Sequence, residues 1–217
     1  NVIPTFQIFP ELLDRLADVL HLHLFLPVYP SVFVSSSSVL VPSADPYSLD
    51  SCHLVASASA AVLNQVIERD QDSKMMRTKN RPLAKGSIQW VSALVFGIIL
   101  GVFGFIFLYK LVNSITAWIS IATILLYVFI YTPSKKISTW NTIIGSIPGA
   151  LPPVGGWTAA TGTLDAPAWI LFGILFCWQM PHFLAIAIIY AADYEKGGFK
   201  MLPTIKQNNP MLTKVNK

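Results

Sequence analysis

Apolar residues in this chain fall in long runs separated by short charged stretches. The runs at 88–109 and 111–131 are clean. Each is about as long as the 20 or so residues a helix needs to cross a hydrocarbon core. A third run, 138–157, is interrupted by Gly145, Pro148, Gly149, Pro152, Pro153, Gly155 and Gly156. A fourth, 167–192, contains Pro181 and is expected to break there. Residues 54–67 are rich in Ala and Ser and read as the end of a tightly packed membrane helix. Lys110 marks a span end, Thr132-Pro133-Ser134-Lys135-Lys136 reads as a loop, and 158–166 reads as a polar turn. The pattern predicts an all-α, polytopic transmembrane bundle with an atypical segment 1–53, a membrane core 54–203 and a polar tail 204–217.

The first segment contains one poor span, 20–41, broken by His21, His23, Pro27, Pro30 and a serine run. No basic region precedes an apolar core as in a signal peptide, and Glu11, Asp14 and Asp18 argue against a mitochondrial presequence. Because the chain opens on Asn1, the sequence reads as a fragment.

The charged residues sort by side. Segment 68–85 holds six cations, Lys135 and Lys136 come two spans later, and Lys196 and Lys200 two spans after that. The opposite connections hold Lys110 and Asp165. Antiparallel spans gather the charge-rich segments at one membrane face, which the positive-inside rule makes cytoplasmic, or matrix-facing in a mitochondrion. A bacterial cytoplasmic membrane is the first expectation and a mitochondrial inner membrane the alternative.

Composition agrees. The 217 residues are 53% hydrophobic and 12% charged, with a mean hydropathy of +0.57. Soluble domains carry about 25% charged residues, so a soluble enzyme and a disordered chain are both excluded for most of the length. The net charge of +4 makes no broad basic face for nucleic acid. Two cysteines, Cys52 and Cys177, form neither a disulfide framework nor a CxxC metal motif.

Chemistry concentrates in Asn64-Gln65-Val66-Ile67-Glu68-Arg69-Asp70-Gln71-Asp72. Asn64, Glu68 and Asp72 repeat every four residues and so stack on one helix face. Three oxygen-bearing side chains in a row suit Mg²⁺, which is held by one or two carboxylates plus phosphate oxygens and water. Arg69, Arg77, Lys79 and Arg81 follow or flank them, and arginine forks match phosphate oxygens. The same spacing also fits a solvated loop whose charges pair with each other and with lipid headgroups. Asn80-Arg81-Pro82-Leu83 ends any helix before Pro82.

The Gly/Pro run is expected not to form a regular helix throughout. It reads either as the wall of a cavity or as a kinked, close helix contact. Trp178-Gln179-Met180-Pro181-His182-Phe183 places an indole, an amide and an imidazole inside the fourth span. Intramembrane polar groups are functional candidates, although a structural histidine is an equally open reading of His182. Asp193 follows at the charged end as a second carboxylate opposite Asp72.

Taken together, these segments resemble the UbiA-type intramembrane prenyltransferases. Asn64–Asp72 is similar to the family's first Asp-rich motif and Arg77-Thr78-Lys79-Asn80-Arg81-Pro82-Leu83 to the segment after it. Tyr131-Thr132-Pro133-Ser134-Lys135-Lys136, the run from Gly149 to Trp157, Trp178-Gln179-Met180-Pro181-His182-Phe183 and Asp193-Tyr194 with Met201-Leu202-Pro203 resemble its haem-farnesylating branch. Five segments in order make the resemblance specific. It implies nine transmembrane helices around a central cavity, so this chain is expected to lack the last ones, and whether the fragment is active is left open.

The resemblance also implies Mg²⁺-dependent transfer of farnesyl from farnesyl diphosphate to a vinyl group of haem B, giving haem O. Asn64, Glu68, Asp72 and Asp193 carry over as catalytic, metal-holding residues. Arg69, Arg77, Lys79, Arg81, Lys135 and Lys136 carry over as diphosphate contacts, and His182 and Trp178 stand as haem-side candidates. Glu68 stands where many members have Asp, Gln65 where an acid is frequent, and Ala192 where the branch commonly has a charge. The implied partners are farnesyl diphosphate, haem B, the lipid bilayer and an enzyme of haem A synthesis. Competing expectations are an aromatic quinone precursor as acceptor, a transporter or assembly scaffold, and a non-functional truncated product.

Overall fold

A computed structural model describes residues 46–202, with side chains from residue 55. The expectations for 1–45 and for the tail from Pro203 lie outside the described residues. Those residues form helices and turns, with no strand among them.

Helix α1 is Pro46–Asp72 and crosses the compositional boundary at 53/54. A turn-rich connection leads to α2, which is α-helical over Trp90–Phe107 and closes in a π-helical turn, Leu108–Val112. Helix α3 follows after Asn113: Ser114–Leu125, a π-helical turn Leu126–Tyr131, then Thr132–Ile137. Helix α4 is Asn141–Thr161, α5 is Ala166–Ile189 and the short α6 is Ala191–Lys196. Among the described residues three helices are long and apolar enough to cross a membrane, Trp90–Val112, Ser114–Ile137 and Ala166–Ile189.

Helix α2 packs on α1 through one stripe. Its buried residues Ala93, Gly97, Gly101 and Gly104 recur at helical spacing. Small residues let backbones approach closely in lipid, and here the Ser59 hydroxyl donates to the Gly97 carbonyl at 2.8 Å. The opposite face, with Val95, Ile98, Val102 and Phe103, is exposed, as suits a surface facing lipid tails.

The two ends of the bundle are chemically distinct. At one end Asn113 caps α3 by accepting from the Thr116 N–H at 2.8 Å, and its amide donates to the Thr158 carbonyl at 2.8 Å. There, too, Trp157 donates to Asp165 at 2.7 Å across the turn after α4. The cation-bearing segments meet at the other end. The Lys200 N–H donates to the Lys135 carbonyl at 2.8 Å, and the Asn141 amide donates to the Lys200 carbonyl at 2.8 Å. The antiparallel arrangement read from loop charges is therefore the one observed.

Several local expectations need correction. Helix α4 runs without a break through Pro148, Pro152 and Pro153. Each proline removes a donor, but the helix lies between α3 and α5, and its glycines let them close in. A Cβ on Gly145 would strike the Tyr131 ring, and one on Gly149 would strike the Gln179 amide. The close-contact reading of this run is the one the packing supports. Helix α5 likewise continues through Pro181. The chain turns instead at Tyr190. The Thr132–Lys136 segment is helix rather than loop: the π-helical turn Leu126–Tyr131 runs straight into it and the chain stays helical through Pro133. Lys110 lies inside the π-helical turn of α2, and the span ends at Val112.

Candidate functional site

The four-residue spacing of Asn64, Glu68 and Asp72 does place them on one face of α1, and that face is buried. Glu68 retains 4% exposure and Asp72 1%. Carboxylates this buried require partners, and each has a cation. Lys135 of α3 lies 3.0 Å from Glu68 Oε1 and donates to Glu68 Oε2 at 3.2 Å. Arg81 donates to Asp72 Oδ2 at 2.8 Å. The Asn64 amide donates to Glu68 Oε2 at 3.1 Å, and Thr132 donates to Asn64 Oδ1 at 2.9 Å. A single network thus joins α1, α3 and the connection after α1. The π-helical turn in α3 lies directly before Thr132 and Lys135. Such turns frequently mark functional sites.

Arg81 reaches Asp72 because the connection after α1 curls back on itself. The Thr78 hydroxyl donates to the Asp72 carbonyl at 3.0 Å and the Arg81 N–H to the Thr78 carbonyl at 2.9 Å. Asp72 lies beyond the apolar part of α1. Burial raises its carboxyl above the ordinary carboxylate range, while Arg81 pulls it down and Glu68 pushes it up. The two acids lie one helical turn apart on the same buried face of α1, as a shared site needs.

Asp193 comes to the same end. Its carboxylate accepts the N–H groups of Met76 at 3.3 Å and Arg77 at 3.1 Å, so it fastens the connection that carries Arg81. The Arg77 guanidinium stacks over Tyr190 at 4.9 Å. Below it Met75, Ala187, Phe199 and Met201 form a small apolar cluster.

Not every residue singled out in the sequence joins this network. Arg69 pairs with Asp70 at 3.3 Å and lies over the Trp90 ring. Lys79 is exposed and Lys136 half-buried. Trp178 and His182 stack on each other on α5, ring centroids 4.8 Å apart, and no hydrogen bond ties His182 to the acids. Cys177 is free and exposed. Sequence reasoning missed Thr132 and Thr78 as members of the network, since they look like ordinary helix and turn residues; Gln179, the amide singled out in the fourth span, packs against Gly149. A hydroxyl beside the Lys135 motif was the available signal for Thr132.

The donor set suits a hard divalent cation. Two buried oxygens here, Gln71 Oε1 and Asp72 Oδ1, lack a partner, while Glu68 Oε1 has no hydrogen bond and faces the Lys135 ammonium at 3.0 Å. Orphaned buried acceptors are costly and call for an explanation. Among the described residues no three His, Cys, Asp or Glu side chains form a cage by themselves. Mg²⁺ does not ask for one, since it keeps waters and takes phosphate oxygens as ligands.

Comparison with known sequences decides the family. The UbiA prenyltransferase family profile matches residues 24–213. The chain belongs to the UbiA prenyltransferase family. This UbiA chain is 48% identical over 152 residues to the protoheme IX farnesyltransferase of Solibacter usitatus, covering 70% of this chain and 52% of that one. It is 43% identical over 165 residues to that of Opitutus terrae, covering 75% and 56%. With that of Francisella tularensis subsp. novicida it shares 46% over 149 residues, covering 69% and 53%. The chain thus spans about half the length of the curated relatives it matches. No solved structure matches it. Family membership and three membrane-length helices make this UbiA protein an integral membrane protein.

Proposed function

We propose that this protein serves the transfer of a farnesyl group from farnesyl diphosphate to a vinyl group of haem B, forming haem O. The observation that carries this reading is the buried network in which Asn64, Glu68 and Asp72 meet Lys135 and Arg81. The names of the relatives from Solibacter, Francisella and Opitutus support haem as the acceptor. Asn64, Glu68 and Asp72 hold Mg²⁺, with Asp193 as the second carboxylate at the same end. Bound there, the cation would neutralise charge developing on the diphosphate oxygens.

The chain's own residues supply the rest. Arg81 and Lys135 offer the departing diphosphate positive charge in a buried setting, where charge stabilisation is strong. Arg77, Lys79 and Lys136 form the outer cationic rim, with Arg69 at its edge. The farnesyl C–O bond breaks with its electron pair leaving on the diphosphate; the vinyl π pair forms the new C–C bond, and the cation left on the other vinyl carbon is taken by a water oxygen that gives up a proton, which supplies the hydroxyl of haem O. The apolar faces of α3, α4 and α5 keep water from the allylic cation. His182 and Trp178, stacked within α5, are assigned to the flat acceptor. The charged end faces the cytoplasm of a bacterial cytoplasmic membrane, as the loop cations direct, and the product would pass to an enzyme of haem A synthesis.

Membranes carrying the protein, given haem B, farnesyl diphosphate and Mg²⁺, should form haem O and free diphosphate by mass spectrometry. A prenylated aromatic acid would move the acceptor to a quinone precursor. Absence of diphosphate release under all acceptors would reject prenyl transfer.

A further inference from the structure

The hydroxyl of Thr132 has a role that neither its family motif nor its burial explains. Its side chain is wholly buried. It lies 2.9 Å from two acceptors, the Asn64 Oδ1 and the Tyr127 carbonyl. The Tyr127 carbonyl already receives the backbone N–H of Thr132, the five-residue bond of the π-helical turn. With Tyr127 already served by that N–H, a hydroxyl proton pointed at Asn64 Oδ1 leaves neither acceptor bare. An α-helical turn would send that N–H to residue 128 instead. The extra residue thus satisfies Tyr127 and at the same time turns Thr132 and Lys135 together toward α1.

The consequence runs through an amide. Asn64 presents two unlike ends, and a carboxylate neighbour accepts only the NH2 end. With Thr132 donating to Oδ1, the amide keeps Nδ2 on Glu68 Oε2 at 3.1 Å. Lys135 holds the same carboxylate from the other side at 3.0 Å. Glu68 is thus gripped between a neutral donor on Oε2 and a cation that lies 3.0 Å from Oε1 and 3.2 Å from Oε2.

We infer that Thr132 is a positioning residue for the cation site: its hydroxyl orients the Asn64 amide, and through it the Glu68 carboxylate, in the donor set that would face a divalent cation carrying diphosphate. The inference rests on the proposed site reading. Partners one step removed from a metal typically change its affinity by about 10–100-fold when removed.

The test uses the full 217-residue chain in lipid nanodiscs, with Mn²⁺ and inorganic diphosphate as probes and free Mn²⁺ read by electron paramagnetic resonance. Thr132→Val should weaken Mn²⁺ binding about 10–100-fold, and Thr132→Ser, which keeps the hydroxyl, should restore it. On an Asn64→Ala background Thr132→Val should add less than about twofold, because two residues acting as one unit are not additive. A purely structural role would add its full effect there and would not be rescued by serine. If Thr132→Val does not insert, Thr132→Ala carries the same comparison with less bulk. Unchanged Mn²⁺ affinity in the hydroxyl-free variant, beside clear binding by the unaltered chain, overturns the inference alone. No binding by the unaltered chain removes the site reading and the inference with it.

Discussion

Lys135 of α3 and Glu68 of α1 are 67 residues apart in sequence and 3.0 Å apart in space, both almost wholly shielded from solvent. Each charge depends on the other. Removing one partner of such a pair costs about 3–5 kcal/mol, whereas replacing both by apolar groups is often neutral. Glu68→Gln alone should therefore lower the melting temperature in detergent clearly. Glu68→Leu with Lys135→Met should recover most of that loss without recovering turnover. Recovery of turnover by the double variant would remove both residues from the chemistry.

Asp72 holds Arg81 at 2.8 Å. Asp72→Ala should abolish diphosphate release while the protein still inserts into membranes at normal levels. Because the vacated Arg81 is half-buried, a loss of stability is also expected, and Asp72→Asn separates the two effects by keeping the shape. Full turnover in Asp72→Asn would sink the metal role.

Gly149 and Gly173 offer a matched pair. A methyl at 149 would collide with the Gln179 amide, whereas one at 173 meets nothing within 4 Å. Overpacking costs about 1–3 kcal/mol. A helix-interior glycine generally gains from alanine by about 0.5–1 kcal/mol. Gly149→Ala should melt earlier and Gly173→Ala no earlier than the parent, read by thermal denaturation in detergent. Equal melting would mean α4 and α5 are not this close.

Asp193 fastens the connection after α1 through two N–H groups. Asp193→Ala should raise hydrogen exchange at Met76 and Arg77 and make residues 73–89 more open to protease, with α2 and α3 unaffected. Asp193→Asn keeps one good acceptor and should fall between. Exchange that stays at the parent level in Asp193→Ala would show the anchor to be dispensable.

Much of the fold is legible in the sequence because helix burial in lipid is a local property. Long apolar runs dictate helices wherever they occur, as at 88–109 and 111–131. Element ends were less legible. Pro133 opens the last segment of α3 instead of ending the helix, and α4 keeps its course through three prolines. In both places neighbouring helices outweigh local propensity.

By itself the sequence determined that Asn64, Glu68 and Asp72 share a face, since the 3.6-residue period admits no other arrangement on a helix. It also determined that the charged segments gather at one end, since successive spans alternate in direction. Only the tertiary structure decided which cation each acid meets, that Thr132 holds Asn64, and that Asp193 grips the backbone at Met76 and Arg77. Those contacts join segments many residues apart. Their geometry depends on the crossing of packed helices and on the π-helical turn in α3, which no local pattern of residue types encodes.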